Sequence, residues 1–325
     1  MAPMPCARIG SKLRPPPAPS GTARFSEGLP MPRHAPRATA LLFSLAALTL
    51  LSACQTQVFS VQDGDMFRRS AASAPQDWST QLQNLSLPRQ VSTVQFKGQD
   101  GTALGGVFFK HPQAKATVLY FQGGGNHVQK DFRWLATLAA DLPVNVLVWD
   151  YRGMGLSEGT GGTAHMATDS LAAAKLARQL GGEEQPLVYW GYSMGTLISS
   201  HLARIDPPDA LILEGTLTTA QDWADNQVPW FAKPFVGVDL AATVRAFDNR
   251  EALQGLRRPV LLLSGGKDDV TPPRFTKDVV AHMSQPQCAT VVESPMAGHG
   301  GIHRQPQARE ALRRFFERVT HPGTC

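Results

Sequence analysis

Five residues carry the first chemical signal in this chain, Gly191-Tyr192-Ser193-Met194-Gly195, set between the apolar run 187–190 (LVYW) and a helix-like stretch. A G-x-S-x-G segment between strand and helix makes a sharp turn, and glycines on both sides relieve the crowding so that the serine hydroxyl can point out of the sheet. A lone serine is a poor nucleophile. It needs a base at hydrogen-bond distance and a carboxylate that orients the base. Two later segments offer those groups. The run 259–263 (PVLLL) leads into Ser264-Gly265-Gly266-Lys267-Asp268-Asp269-Val270-Thr271-Pro272, and the run 289–292 (ATVV) leads into Pro295-Met296-Ala297-Gly298-His299-Gly300-Gly301. Glycines beside His299 let its loop present the ring, a setting that His303 lacks.

The elements that must position these groups follow from the apolar pattern. Residues 91–96 and 104–110 flank the turn Gln99-Asp100-Gly101 and read as an antiparallel hairpin. Short apolar runs at 116–121, 144–149, 187–190, 210–213, 259–263 and 289–292 suit strands buried on both faces. Helical spacing and good helix formers occupy 132–140, 168–180, 194–205, 274–283 and 307–319. This alternation predicts an α/β domain, a mostly parallel sheet with helices on both faces, over residues 91–325. Residues 216–258, with Trp223, Trp230, Phe231, Phe235 and several prolines, are too long for an ordinary connection and read as a small cap.

Taken together, the serine turn, the acid loop and the histidine loop resemble those of the α/β-hydrolase fold, specifically small esterases, monoacylglycerol-lipase-like proteins and serine-aminopeptidase-like relatives. The resemblance covers roughly residues 91–319 and includes Asp150-Tyr151-Arg152-Gly153-Met154-Gly155-Leu156-Ser157, which is similar to the family's D-x-R-G-x-G-x-S turn and is read as structural. It implies a catalytic triad of Ser193, Asp268 and His299. The family spacing Gly265-x-x-Asp268 selects Asp268 over Asp269. Glu214 is the competing acid, because it stands where some members of the fold carry theirs; its structural role would be to fix the loop into the cap. The resemblance also implies an oxyanion hole from the N–H of Met194 and one from Gln122-Gly123-Gly124-Gly125-Asn126, with Gly124 as the candidate. In that loop Gln122 replaces the family's usual histidine. The implied reaction is acyl transfer to water through an acyl-enzyme, with carboxylic esters as the default substrate. A thioesterase, a lipase, a serine peptidase and a non-catalytic surface-anchored binding or scaffold protein are the alternatives.

The net charge of +5 invites a nucleic-acid reading, but the excess lies before Cys54, where six basic residues stand against one acid. The remainder carries 25 basic and 25 acidic residues and is formally neutral. No nucleic-acid-binding pattern, metal-spaced cysteine pair or phosphate-cradling loop is present, so the expected partner is a small acyl substrate, with no cofactor and no metal. Residues 41–53 (LLFSLAALTLLSA) form an uncharged run shorter than the roughly 20 residues a spanning helix needs. They read as a signal-peptide core ending in Leu51-Ser52-Ala53-Cys54, which resembles a bacterial lipobox and implies lipidation of Cys54. Gln55 after the cysteine resembles the outer-membrane class. Met31, followed by Arg33, His34 and Arg37, is the candidate translation start. The expected organisation is a leader at 1–53, a tether or arm at 54–90 and the hydrolase domain at 91–325. Cys288 and Cys325 either pair or stand as a buried thiol and a terminal one.

Overall fold

Strands that are apolar along their whole length need cover on both faces, and here they share one sheet. The computed structural model of the protein describes residues 57–67, 90–319 and 325. The leader, Met31 and Cys54 lie outside the described residues. In chain order the elements are β1 (Gln57–Val61), α1 (Asp63–Met66), β2 (Gln90–Lys97), β3 (Ala103–Lys110), β4 (Ala116–Phe121), α2 (Val128–Asp141), β5 (Val144–Trp149), α3 (Met166–Gly181) and β6 (Leu187–Tyr192). They continue with α4 (Met194–Ile205), β7 (Ala210–Glu214), α5 (Ala220–Gln227), β8 (Val236–Leu240), α6 (Ala242–Arg245), α7 (Asn249–Gln254), β9 (Val260–Gly265), α8 (Pro273–His282), β10 (Ala289–Ser294) and α9 (Pro306–Val319).

Eight strands form a sheet in the order β10-β9-β7-β6-β4-β5-β3-β2, antiparallel only where β3 meets β2 and β5. Every residue of β4 and β5 is buried. Alternate side chains serve opposite faces. Val118, Tyr120, Val188 and Trp190 pack with Phe132 and Leu135 of α2 and Leu312 and Phe315 of α9. Leu119, Phe121, Tyr189 and Leu213 pack on the other face with Ala173, Ala177, Ile198, Leu202 and Val279. Each large side chain buried in this way contributes roughly 1.5–3 kcal/mol.

Parallel register then gathers the strand ends. Phe121 pairs with Gly191, Tyr192 with Glu214, Glu214 with Leu263, and Ser294 with Gly265. The loops after β4, β6, β7, β9 and β10 therefore leave from one edge, where open α/β sheets bind their ligands.

Residues 216–258 hold α5, β8, α6 and α7. Thr219 caps α5 by accepting the Asp222 N–H at 2.8 Å. Leu217, Ala220, Leu240 and Val244 pack against Leu197 of α4 and Phe275 of α8. Part of the segment expected to be a tether or arm, residues 57–67, packs on this body. β1 runs parallel to β8 with Gln57 opposite Val236 and Val61 opposite Leu240. Asp63 accepts the Thr163 N–H, and the buried Phe67 ring meets Tyr151 edge-on at 6.1 Å. β1 escapes a periodicity search because its side chains are largely exposed and its partner is a backbone ladder.

Cys288 and Cys325 are joined by a disulfide across 37 residues. Closing a loop of that size restricts the unfolded chain by about 3–4 kcal/mol in the chain-entropy model. Cys288→Ser is expected to lower the melting temperature by roughly 8–15 °C, and dithiothreitol to do the same to the parent but not to the variant, as differential scanning fluorimetry would report.

Candidate active site

Ser193 sits at φ 52°, ψ −121°, and it alone of the non-glycines among the described residues has a positive φ. That backbone costs roughly 1–3 kcal/mol and is held by its surroundings. The Ser193 N–H donates to Glu214 O at 2.9 Å, and the Thr196 N–H and hydroxyl donate back to Ser193 O. The flanking glycines are a steric necessity. A Cβ on Gly191 would lie 2.4 Å from Gly195 O, and one on Gly195 would lie 2.1 Å from Phe121 O.

The two later loops are joined to each other before they reach the serine. The Gly266 N–H donates to Ser294 O and the Lys267 N–H to Ala297 O, at 2.8 and 2.9 Å. Asp268 is buried, and its Oδ1 accepts the N–H groups of Val270 and Thr271 at 2.9 and 2.7 Å. Its Oδ2 accepts the Thr271 hydroxyl at 2.6 Å and lies 2.9 Å from His299 Nδ1. His299 Nε2 in turn lies 2.9 Å from Ser193 Oγ. With a carboxylate at Nδ1, that nitrogen carries the proton and Nε2 is left to accept from the serine. Burial pulls the Asp268 carboxyl upward, but the hydrogen bonds from His299 and Thr271 outweigh it and hold the group below the ordinary carboxylate range. Asp269 is exposed and holds Asn226 through its backbone oxygen.

Glu214 is turned to a different task. Its fully buried carboxylate accepts the His303 N–H at 3.0 Å and meets His303 Nδ1 at 2.7 Å, while Trp134 stacks on the His303 ring at 4.3 Å. The Tyr192 hydroxyl donates to His299 O at 3.2 Å. The histidine loop is thus gripped at His299 itself and again four residues on, at His303. Sequence reasoning missed Thr271, Tyr192 and the Glu214–His303 pair. Only Thr271 had a local signal, a hydroxyl three residues after the carboxylate it caps.

Met194 opens α4, so its N–H falls in the first turn, where no intrahelical partner exists. The glycine loop lies alongside. A Cβ on Gly123 would be 3.4 Å from Ser193 Cβ, whereas one on Gly124 would meet only Met194 Sδ at 3.8 Å. Gly123 thus runs nearer the serine than Gly124. Gln122 is buried and donates from Nε2 to Trp149 O at 2.7 Å and to Asp150 Oδ1 at 3.1 Å, which ties the loop to the following strand without an imidazole. Asp150 also accepts the N–H groups of Val128 and Leu156, and Arg152 forms a two-pronged pair with Asp169. Both side chains brace loops.

A small apolar cavity beside Met194 is lined by Phe67, Leu197, Ile198, Ala220, Val244 and Phe247. A larger cavity of about 810 Å³ between α2 and α9 includes His303 but not Ser193, Asp268 or His299, so volume alone does not locate the chemistry.

Similarity to known proteins agrees with this geometry. The model described as "Serine aminopeptidase, S33" matches residues 112–245, and one described as "TAP-like protein" matches 240–325. An uncharacterized protein of Mycobacterium tuberculosis is 30% identical over 203 residues, which cover 62% of this chain and 69% of that protein. The chain belongs to the α/β-hydrolase family. The family supports its reading as a serine hydrolase. A lysophosphatidylserine lipase of Danio rerio is 30% identical over 231 residues, covering 63% of this chain and 59% of the lipase. Among solved structures, a Pyrococcus furiosus esterase superposes with a TM-score of 0.58 at 16% identity, covering 78% of this chain and 97% of that one, a likeness of fold.

Two outcomes follow for the residues around the site. Glu214→Ala leaves His303 without its acceptor and is expected to cost about 2–4 kcal/mol, visible as a lower urea midpoint, while Glu214→Gln keeps one acceptor and recovers about half. Burial, with Asp150 adding and Lys130 opposing, pushes Asp131 from 3.8 up to about 6. A carboxyl raised by folding favours the folded state while it is protonated. Its contribution is complete below about 3.8 and lost as pH rises through about 6. Asp131→Asn should therefore flatten the melting temperature between pH 4 and pH 7, the gain being largest at pH 7.

Proposed function

We propose that this chain hydrolyses carboxylic esters through an acyl-enzyme on Ser193. The observation that carries the reading is the hydrogen-bonded row from Ser193 Oγ through His299 to Asp268, with 2.9 Å at each step. His299 removes the hydroxyl proton as Ser193 attacks the carbonyl carbon, and the same proton is delivered to the departing alkoxide. Asp268 stays ionised and keeps the ring in the tautomer that can accept. Negative charge on the tetrahedral oxygen is met by the Met194 N–H and by an N–H of the 123–124 turn, with Gly124 as the sequence candidate and Gly123 as the nearer one. Water then repeats the cycle on the acyl-enzyme.

The lipase and esterase names among the relatives favour esters. We further infer that the chain is exported and anchored by lipid on Cys54, facing the periplasm from the outer membrane. A disulfide between Cys288 and Cys325 suits an oxidising compartment.

A fluorophosphonate should label the parent protein and leave Ser193→Ala unlabelled. Asp268→Asn should lower kcat by about 10⁴-fold at constant fold, because the ring then prefers the wrong tautomer. A panel of esters, thioesters and peptide amides settles the leaving group. Preference for amides would replace the esterase reading by a peptidase.

A further inference from the structure

The largest exposed aromatic side chains of the described residues gather at one corner, away from any hydrophobic core. Trp230 is 83% exposed, and Phe231 and Phe235 stand half exposed or more. They ride on a short knuckle that precedes β8. The N–H groups of Ala232 and Lys233 donate to Pro229 O, and those of Phe235 and Val236 donate to Ala232 O, so two successive turns hold the three rings outward. The Trp230 and Phe231 rings meet edge-on at 6.0 Å. A helix-free loop that exposes Pro229, Trp230, Phe231, Pro234 and Phe235 together is expensive in water and requires a reason.

β1 begins at the same corner. The Gln57 N–H donates to Phe235 O at 2.7 Å, which sets the start of β1 beside the knuckle, and the exposed Val58 and Phe59 that follow point to opposite faces of the ladder with β8. Two residues, Gln55 and Thr56, separate Gln57 from Cys54, and the three steps of chain span at most about 11 Å. If Cys54 carries lipid, the acyl chains enter the bilayer within that reach of the aromatic corner. The only charged side chain in the knuckle is the exposed Lys233, suited to phosphate groups at the same depth as the rings.

We propose that residues 229–235 form a membrane-docking face that enters the headgroup–acyl boundary of a phospholipid bilayer. The proposal rests in part on the lipidated reading of Cys54, since the anchor is what selects a bilayer over another apolar partner. Trp favours that boundary, where one edge of its ring is dry and the N–H edge wet, and the Phe rings add apolar area to the acyl side. Docking at a second point besides the anchor would hold the domain in one orientation instead of leaving it to swing on its lipid.

The test uses the purified full chain with vesicles of phosphatidylethanolamine and phosphatidylglycerol, with and without bromine on the acyl chains. The Trp230 signal is the difference between the parent and Trp230→Phe, a change at an exposed site that the fold tolerates. Docking predicts a blue-shifted Trp230 emission that brominated lipid lowers by roughly twofold or more, and a return toward water-like emission in the Phe231→Ser/Phe235→Ser variant. Emission that stays water-like, or that shifts without quenching by bromine as it would against a second copy of the chain, overturns the proposal. The mass of Cys54 and fluorophosphonate labelling of Ser193 report the anchor and the hydrolase reading separately, so failure of either is told apart from failure of docking.

Discussion

Everything at this site depends on a backbone conformation that serine does not choose by itself. The left-handed turn at Ser193 is tolerable because Gly191 and Gly195 leave room for neighbouring backbone, and because Glu214 O and Thr196 close hydrogen bonds around it. Remove those supports and the hydroxyl falls back toward the sheet. The strain is repaid by the burial of β6 and α4 in the two halves of the core, which is why a strand and a helix of high apolar content must flank so small a turn.

The same economy governs the partners. Asp268 and His299 come from loops after adjacent strands, and backbone hydrogen bonds join those loops before any side chain is considered. Thr271 and Val270 donate to Asp268, Tyr192 holds the carbonyl of His299, and Glu214 holds His303 four residues on. The imidazole is therefore suspended from a frame of backbone and side-chain hydrogen bonds.

Much of this was legible in the residues alone, for reasons that differ from place to place. β4 and β5 were readable because burial on both faces leaves an unbroken apolar run between polar turns. Ser193, Asp268 and His299 were readable because each stands in a glycine-marked loop directly after such a run. β1 was not, since its stability lies in a backbone ladder to β8 that leaves no mark on side-chain pattern. Glu214 and His303 were beyond reach for another reason: they are 89 positions apart, and nothing local to either names the other. Gln122 shows the reverse case, where the residue that departs from the family's histidine supplies a donor that braces the loop, to Trp149 O and Asp150.

The bridge between Cys288 and Cys325 encloses β10, His299, His303 and α9 within a single covalent ring. Fraying of α9 cannot spread as it would along an open chain, because Cys325 beyond it is sewn to Cys288 at the start of β10. Amide exchange in the histidine segment is then coupled to opening of β10 itself rather than to the looser motions of a free terminus. His299 is held inside a closed circuit of chain, and its placement tracks the integrity of the sheet edge.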